Sequence, residues 1–154
     1  MKKTRMIKEM EKLLNEVEFL EDGYYIDISG INEDNKIILF IFEDDTEEIV
    51  LELKVSYIED KYELITSFIR EIYCEYINPL KKEIRKWTSF SRRKVESLSK
   101  WSKRDRIDKI MKINEEMIDR YKEIEYAKGQ MYFYQYFIRR FCQAREQMTS
   151  LIVA

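Results

Sequence analysis

The chain contains no histidine. That absence removes the commonest general base near neutral pH, the usual nitrogen ligand of zinc, and every Ser-His or Cys-His nucleophilic pair. Cysteine is almost as scarce, with Cys74 and Cys142 far apart in the chain and forming neither a CxxC motif nor a disulfide framework. Each stands in an apolar, helical-looking stretch, so two buried, reduced thiols are expected. Three glycines and one proline in 154 residues leave little room for long loops or flexible linkers. No P-loop, dinucleotide fingerprint, nucleophile elbow, HExxH or thiol redox motif occurs. Long apolar runs are missing too. The longest charge-poor windows, 37–42 and 131–138, fall well short of the roughly 18 residues of a membrane-spanning helix. Met1-Lys2-Lys3-Thr4-Arg5 has the basic character of an export signal, but Lys8, Glu9, Glu11 and Lys12 interrupt any apolar stretch behind it. The expectation is a cytoplasmic protein, free of membrane, with no catalytic residue, cofactor or metal to assign.

Apolar residues make up 45% of the chain and charged residues 38%. At this length folding buries about 70% of the surface the unfolded chain exposes, enough for one core. A single domain over 1–154 is expected, with a helix and a sheet in 1–58 and a helical part in 59–154.

Periodicity supplies the elements. Over residues 3–20, Met6, Met10, Leu13, Val17 and Leu20, with Ile7 and Leu14 beside them, mark one face of a helix that Gly23 stops. Tyr24, Ile26 and Ile28 then alternate with Tyr25, Asp27 and Ser29. The polar run Asn32-Glu33-Asp34-Asn35 turns the chain into residues 36–42, and Glu43-Asp44-Asp45-Thr46 turns it again. A third strand follows, with Ile49, Leu51, Leu53 and Val55 on one face. The middle strand is apolar on both faces, so it is expected to be central and covered on both sides. From Asp60 the period lengthens: Tyr62, Ile65, Phe68, Ile69, Ile72, Tyr73 and Tyr76 mark a second helix leading to Asn78-Pro79, which can restart or kink it. Thr88-Ser89-Phe90-Ser91 reads as a break, Ser102 and Asp105 as a capping box opening a third long helix, and Gly129 as an interruption before a continuation or a fourth helix. The fold class is α+β: an N-terminal helix, a three-stranded antiparallel meander, then a helical C-terminal half of three or four helices. The element order of the first 77 residues resembles that of a double-stranded-RNA-binding domain. Such a domain opens its second helix with lysines that meet phosphates; here the helix opens with Glu59-Asp60-Lys61-Tyr62-Glu63. The resemblance is one of element order and implies no function.

Charge falls in blocks. The net is +3 over 1–15, −14 over 16–80, +8 over 81–106 and +1 over 107–154, for −2 in all. The acidic block includes Glu43, Asp44, Asp45, Glu47 and Glu48, which lack the spacing and the bending glycine of an EF-hand loop. They form either a solvated turn or an acidic surface that docks on the basic groove of a nucleic-acid enzyme. The basic block offers Arg85, Lys86, Arg92, Arg93, Lys94, Lys100, Lys103 and Arg104, with Trp87, Phe90 and Trp101 interleaved. Cations beside stacking rings are what a nucleic-acid surface requires; the alternative is a self-neutralised face with both tryptophans in the core. Around 126–141 the chain is apolar almost all the way round a helix, and Tyr132, Phe133, Tyr134, Tyr136, Phe137 and Phe141 divide between core and a homodimer interface.

These patterns favour a non-enzymatic interaction protein that inhibits or modulates a nucleic-acid-handling protein complex. A Lys- and Ile-rich, Gly-poor composition suits an AT-rich genome, that of a low-GC bacterium or its phages, and an anti-defence inhibitor would be one example. A nucleic-acid-binding regulator using 81–106 is the second reading. A carboxylate-metal enzyme is the third, and it requires several of Asp27, Glu43, Asp44, Asp45 and Glu48 to converge in a concave pocket.

Overall fold

The computed structural model describes residues 3–16, 23–101 and 103–153, and their side chains except at 99, 100, 103, 104 and 149–153. The elements follow in the order α1 (Arg5–Leu14), β1 (Tyr24–Ile28), β2 (Lys36–Glu43), β3 (Ile49–Ser56), α2 (Lys61–Ile72), α3 (Asn78–Glu96) and α4 (Lys103–Val153). A π-helical turn occupies Tyr73–Ile77 and a 3₁₀ turn Ser97–Lys100. The chain is thus α+β, with a helix, a three-stranded antiparallel sheet in the order β1-β2-β3, and then helices. It forms two compact units, Met1–Glu75 with Gln135–Ala154, and Tyr76–Tyr134. α2 and the last part of α4 contribute buried residues to the unit that holds the sheet.

In that unit the strands keep the period-two pattern of the sequence. Ile26 and Ile28, Ile37, Leu39 and Ile41, and Leu51, Leu53 and Val55 are buried on one face. Against it stand Ile7, Met10 and Leu14 of α1, Leu64, Ile65, Phe68, Ile69 and Ile72 of α2, and Phe137, Ile138, Phe141 and Ala144 of α4, all buried. The Phe137 ring meets Tyr24 edge-on at 5.2 Å between centroids, and Phe141 lies 6.1 Å from Phe68. β2 is central, as its double-sided apolar pattern requires. Its second face is not covered to the same degree: Ile38, Phe40 and Phe42 are half-buried. Ile49, expected inside, is 52% exposed. A register shift between Ile41 and Phe42 takes Ile49 out of the alternation.

Local chemistry sets the turns. Thr4 caps α1 by accepting from the Ile7 N–H at 3.2 Å, and Asp60 caps α2 by accepting from the Glu63 N–H at 3.0 Å. Asn32 Oδ1 accepts from the Asp34 and Lys36 amides, both at 2.9 Å, and closes the first hairpin around Asn35, whose φ of 57° suits an asparagine. Gly23 takes φ 83°, a conformation in which a Cβ is strained, and its carbonyl accepts from the Asp44 N–H at 2.8 Å. Residues 17–22, and with them Val17 and Leu20 of the expected first helix, lie outside the described residues, as does Ser102 of the expected capping box.

The free edge of β1 is closed by Glu11 of α1 and by Asn15, the residue that follows it. Asn15 accepts from the Ile26 N–H at 2.8 Å and donates to the Ile26 carbonyl at 3.0 Å, so one amide imitates a strand neighbour. Glu11 accepts from the Ile28 N–H at 2.9 Å and from the Lys3 ammonium at 2.7 Å, and Lys3 also reaches Asp27 at 2.7 Å. Burial works against the Lys3 cation, but the two carboxylates together outweigh it and raise its pKa above the usual lysine value. An edge paired in this way offers no template to another strand. Asn15→Ala orphans two groups of β1 and is expected to cost about 2 kcal/mol of stability in urea unfolding. Glu16→Ala, on the exposed neighbour, is expected to stay within about 0.5 kcal/mol; equal effects would remove Asn15 from this role.

Two expected helix breaks are absent. α3 runs through Thr88-Ser89-Phe90-Ser91 because Thr88 returns its hydroxyl to the Ile84 carbonyl at 2.8 Å instead of competing for the chain. α4 runs through Gly129 without interruption. The actual break between α3 and α4 is at residues 97–101. Pro79 lacks the N–H that a regular helix would direct to the Glu75 carbonyl, and the π turn just before it absorbs that defect. Cys74, expected to be buried, is carried by this turn and is exposed, while Cys142 is half-buried.

Candidate docking surfaces

The β2–β3 turn is built from alternation that ends at Glu43 and a run of residues too polar to continue a strand. Glu47 adopts φ 57° and donates its N–H to the Glu43 carbonyl at 2.8 Å, closing a tight loop. The closure leaves Asp44, Asp45, Glu47 and Glu48 exposed and Glu43 half-buried on one hairpin tip. Thr46 donates to Glu43 at 3.4 Å. Among the described residues no ion pair reaches any carboxylate of this turn. Nor does any group of three or more Cys, Asp or Glu side chains among them converge as a metal site would require. The carboxylates of this hairpin tip therefore present their charge outward.

Beside the tip lies the second face of the sheet, which sequence reading did not single out. Tyr25 and Phe42 are cross-strand partners whose rings stack at 5.0 Å with planes 12° apart, and Phe40 lies 6.0 Å from Phe42. All three are half-buried. Phe40 is paired in register with Asp27 on one side and Glu52 on the other. Burial raises the pKa of the Tyr25 phenol, and the carboxylates of Glu47, Asp44 and Asp27 push it further the same way. The hairpin charge is thus felt at the ring stack. Three aromatics at the outward positions of alternating strands were the available signal.

In the second unit, α3 and α4 run antiparallel. Tyr76 meets Tyr134 at 4.8 Å, Arg120 covers Trp87 at 4.1 Å and Phe90 at 5.3 Å, and Lys94 pairs with Glu116 at 3.6 Å, so rising numbers on one side meet falling numbers on the other. Burial, with Tyr76 and Tyr126 nearby, raises the pKa of Tyr134. Arg85, Lys86, Arg92 and Arg93 are exposed and Lys94 is half-buried; the side chains of Lys100, Lys103 and Arg104 lie outside the described residues. The interleaved rings are not bare stacking platforms. Lys86 sits 4.9 Å over Trp87, Lys94 5.4 Å over Phe90, and Lys109 4.6 Å over Trp101, in addition to Arg120. Neither tryptophan is a core residue: Trp87 is half-buried on α3, which buries no residue fully, and Trp101, beyond the 3₁₀ turn, is exposed.

The aromatic stretch 126–141 splits. Phe137 and Phe141 are fully buried, and ring contacts with Tyr24 and Phe68 make them core rather than a surface for a second chain. Phe133, Tyr134 and Tyr136 are half-buried, and Tyr132 is 68% exposed. Tyr126 is 70% exposed, and α4 exposes further apolar surface before this stretch. Ile107, Met111, Ile118 and Tyr121, all 56–65% exposed, fall with Asn114 on one 4-3-4-3 stripe. That spacing is legible in the sequence as a second seam, one residue out of phase with the stripe Ile113, Met117, Arg120, Ile124 and Ala127, which is half-buried or buried.

No helix of the structure, among the described residues, is long and apolar enough to cross a membrane. No protein-family model matches the chain, and no curated protein or solved structure was found to be similar to it.

Proposed function

We propose that this chain is a non-enzymatic interaction protein that docks on the basic surface of a nucleic-acid-handling protein complex in the cytoplasm and inhibits or modulates it, in the manner of an anti-defence inhibitor from a phage or mobile element. The observation that carries this reading is the hairpin tip of five carboxylates, Glu43, Asp44, Asp45, Glu47 and Glu48, unpaired by any cation among the described residues. Surface charge left uncompensated favours a partner of opposite sign and speeds its approach, by up to about 10³-fold in steered pairs. A groove built for phosphates is such a partner. Affinity capture from a low-GC bacterial lysate, with and without nuclease, tests the reading: partners kept after nuclease support it, and partners lost with nucleic acid oppose it.

Direct nucleic-acid binding through 81–106 is the second reading, and the exposed guanidinium groups of Arg85, Arg92 and Arg93 favour it. The cations over Trp87 and Phe90 argue against base stacking there, because those ring faces already have partners.

The homodimer belongs to the same proposal, at a different place from the one expected. The stripe Ile107, Met111, Ile118 and Tyr121 has coiled-coil spacing, and Asn114 within it is a residue that a second copy can satisfy with its own Asn114. Light scattering at tens of micromolar is expected to give two chains of 19.0 kDa each, and Ile118→Glu to give one with an unchanged circular dichroism spectrum. A monomeric parent chain would remove the dimer from the proposal.

A further inference from the structure

We propose that the aromatic face of the sheet, Tyr25, Phe40 and Phe42, is the seat of an arginine-bearing segment of the protein partner. This rests on the reading that the acidic hairpin docks on a basic surface, and it names where and by which residue type.

The half-buried ring stack of Tyr25 on Phe42, with Phe40 next to it, forms an apolar ledge on the central and first strands. Among the described residues these three rings make ring contacts only with one another. The hairpin tip begins one residue beyond Phe42 and is tied back at Asp44, whose N–H donates to the Gly23 carbonyl two residues before Tyr25, and Asp27 and Glu52 flank Phe40 in register. Asp27 is held by Lys3 and Glu52 is engaged within the chain, so the carboxylates left to a partner are those of the hairpin. An occupant must therefore bring positive charge and also tolerate an apolar, aromatic floor. A lysine ammonium is a compact, strongly hydrated charge and gives up water reluctantly over such a floor. A guanidinium is planar and more weakly hydrated, stacks on aromatic faces and still pairs with a carboxylate at its edge. The juxtaposition of rings and carboxylates selects arginine over lysine.

The test uses the full chain and two fluorescent peptides, nona-arginine and nona-lysine, in anisotropy titrations at about 0.15 M salt, where exposed charges beyond about 8 Å are screened. Two ring contacts at an exposed site make the arginine peptide bind about tenfold tighter than the lysine peptide. Phe40→Ala and Tyr25→Ala reduce that ratio toward one, while Asp44→Asn with Glu47→Gln weakens both peptides alike. The comparison of peptides on the parent chain needs no variant, so a ring variant that fails to fold does not disarm the test. Equal affinities of the parent chain for the two peptides overturn the inference and leave the acidic docking reading standing. Failure of both peptides to bind at tens of micromolar overturns the inference and the reading together. A tenfold preference that survives both ring substitutions in folded protein also overturns it, because the selectivity then comes from another surface.

Discussion

Phe141→Ala is expected to lower the free energy of unfolding by about 3–5 kcal/mol, whereas Tyr132→Ala is expected to change it by less than about 0.5 kcal/mol. The two residues belong to one aromatic stretch and look alike in sequence. Phe141 is fully buried, its ring near Phe68, so truncation removes apolar area from the core and leaves a cavity. Tyr132 is 68% exposed, and its removal mostly changes solvent. Urea unfolding followed by circular dichroism, with equal slopes for both variants, checks the pair. The opposite pattern, a stable Phe141→Ala chain whose mass by light scattering has halved, would return this residue to an interface between copies. A loss of this size is a large fraction of the about 5–15 kcal/mol that holds a domain folded, so Phe137→Glu, which places a charge beside Tyr24, is expected to prevent folding altogether.

The combined substitutions Asp44→Lys, Asp45→Lys, Glu47→Lys and Glu48→Lys reverse the charge of the hairpin tip while leaving the buried face of the sheet untouched. All four side chains are exposed, and the backbone turn is made by the Glu43 carbonyl and the Glu47 N–H, which the substitutions retain. The fold is therefore expected to persist. In the nuclease-treated capture the variant is expected to retain at least about tenfold less partner, with the association rate at low salt falling by roughly 10²-fold, since rim charges act mainly on encounter. The deficit should narrow as salt rises, because screening shortens the reach of the charges that were removed. Capture equal to that of the parent chain, with the fold intact, would exclude the hairpin as the docking element.

Both predictions turn on information that the chain carries unevenly. The alternation of Ile26 and Ile28, of Ile37, Leu39 and Ile41, and of Leu51, Leu53 and Val55 specifies three strands and the face each buries, because a strand shifted by one residue would expose every one of these side chains. Asp60 marks the start of α2 through a hydrogen bond that needs only its immediate neighbours. The hairpin carboxylates are equally legible, since a tight turn between two strands leaves such residues nowhere but outside. These features rest on contacts between residues close in sequence or on a strict period of two.

The helical half was less legible, for a physical reason. Thr88-Ser89 and Gly129 weaken a helix by about 1 kcal/mol or less each, and that preference is overridden where the flanking side chains pack, as Ala127 and Ile113 do on α4. The stretch 126–141 is apolar on all sides, so its periodicity carries no information about which side is covered. That Phe137 and Phe141 face Tyr24 and Phe68 is decided by residues more than seventy positions away. The same holds for the basic block, where Arg120 and Glu116, remote in sequence, cover Trp87 and pair with Lys94. Period and turn chemistry thus settled the meander and its acidic tip. Only tertiary packing chose between core and surface wherever apolar or charged residues surround a helix, because such a helix has no face that its own residues distinguish.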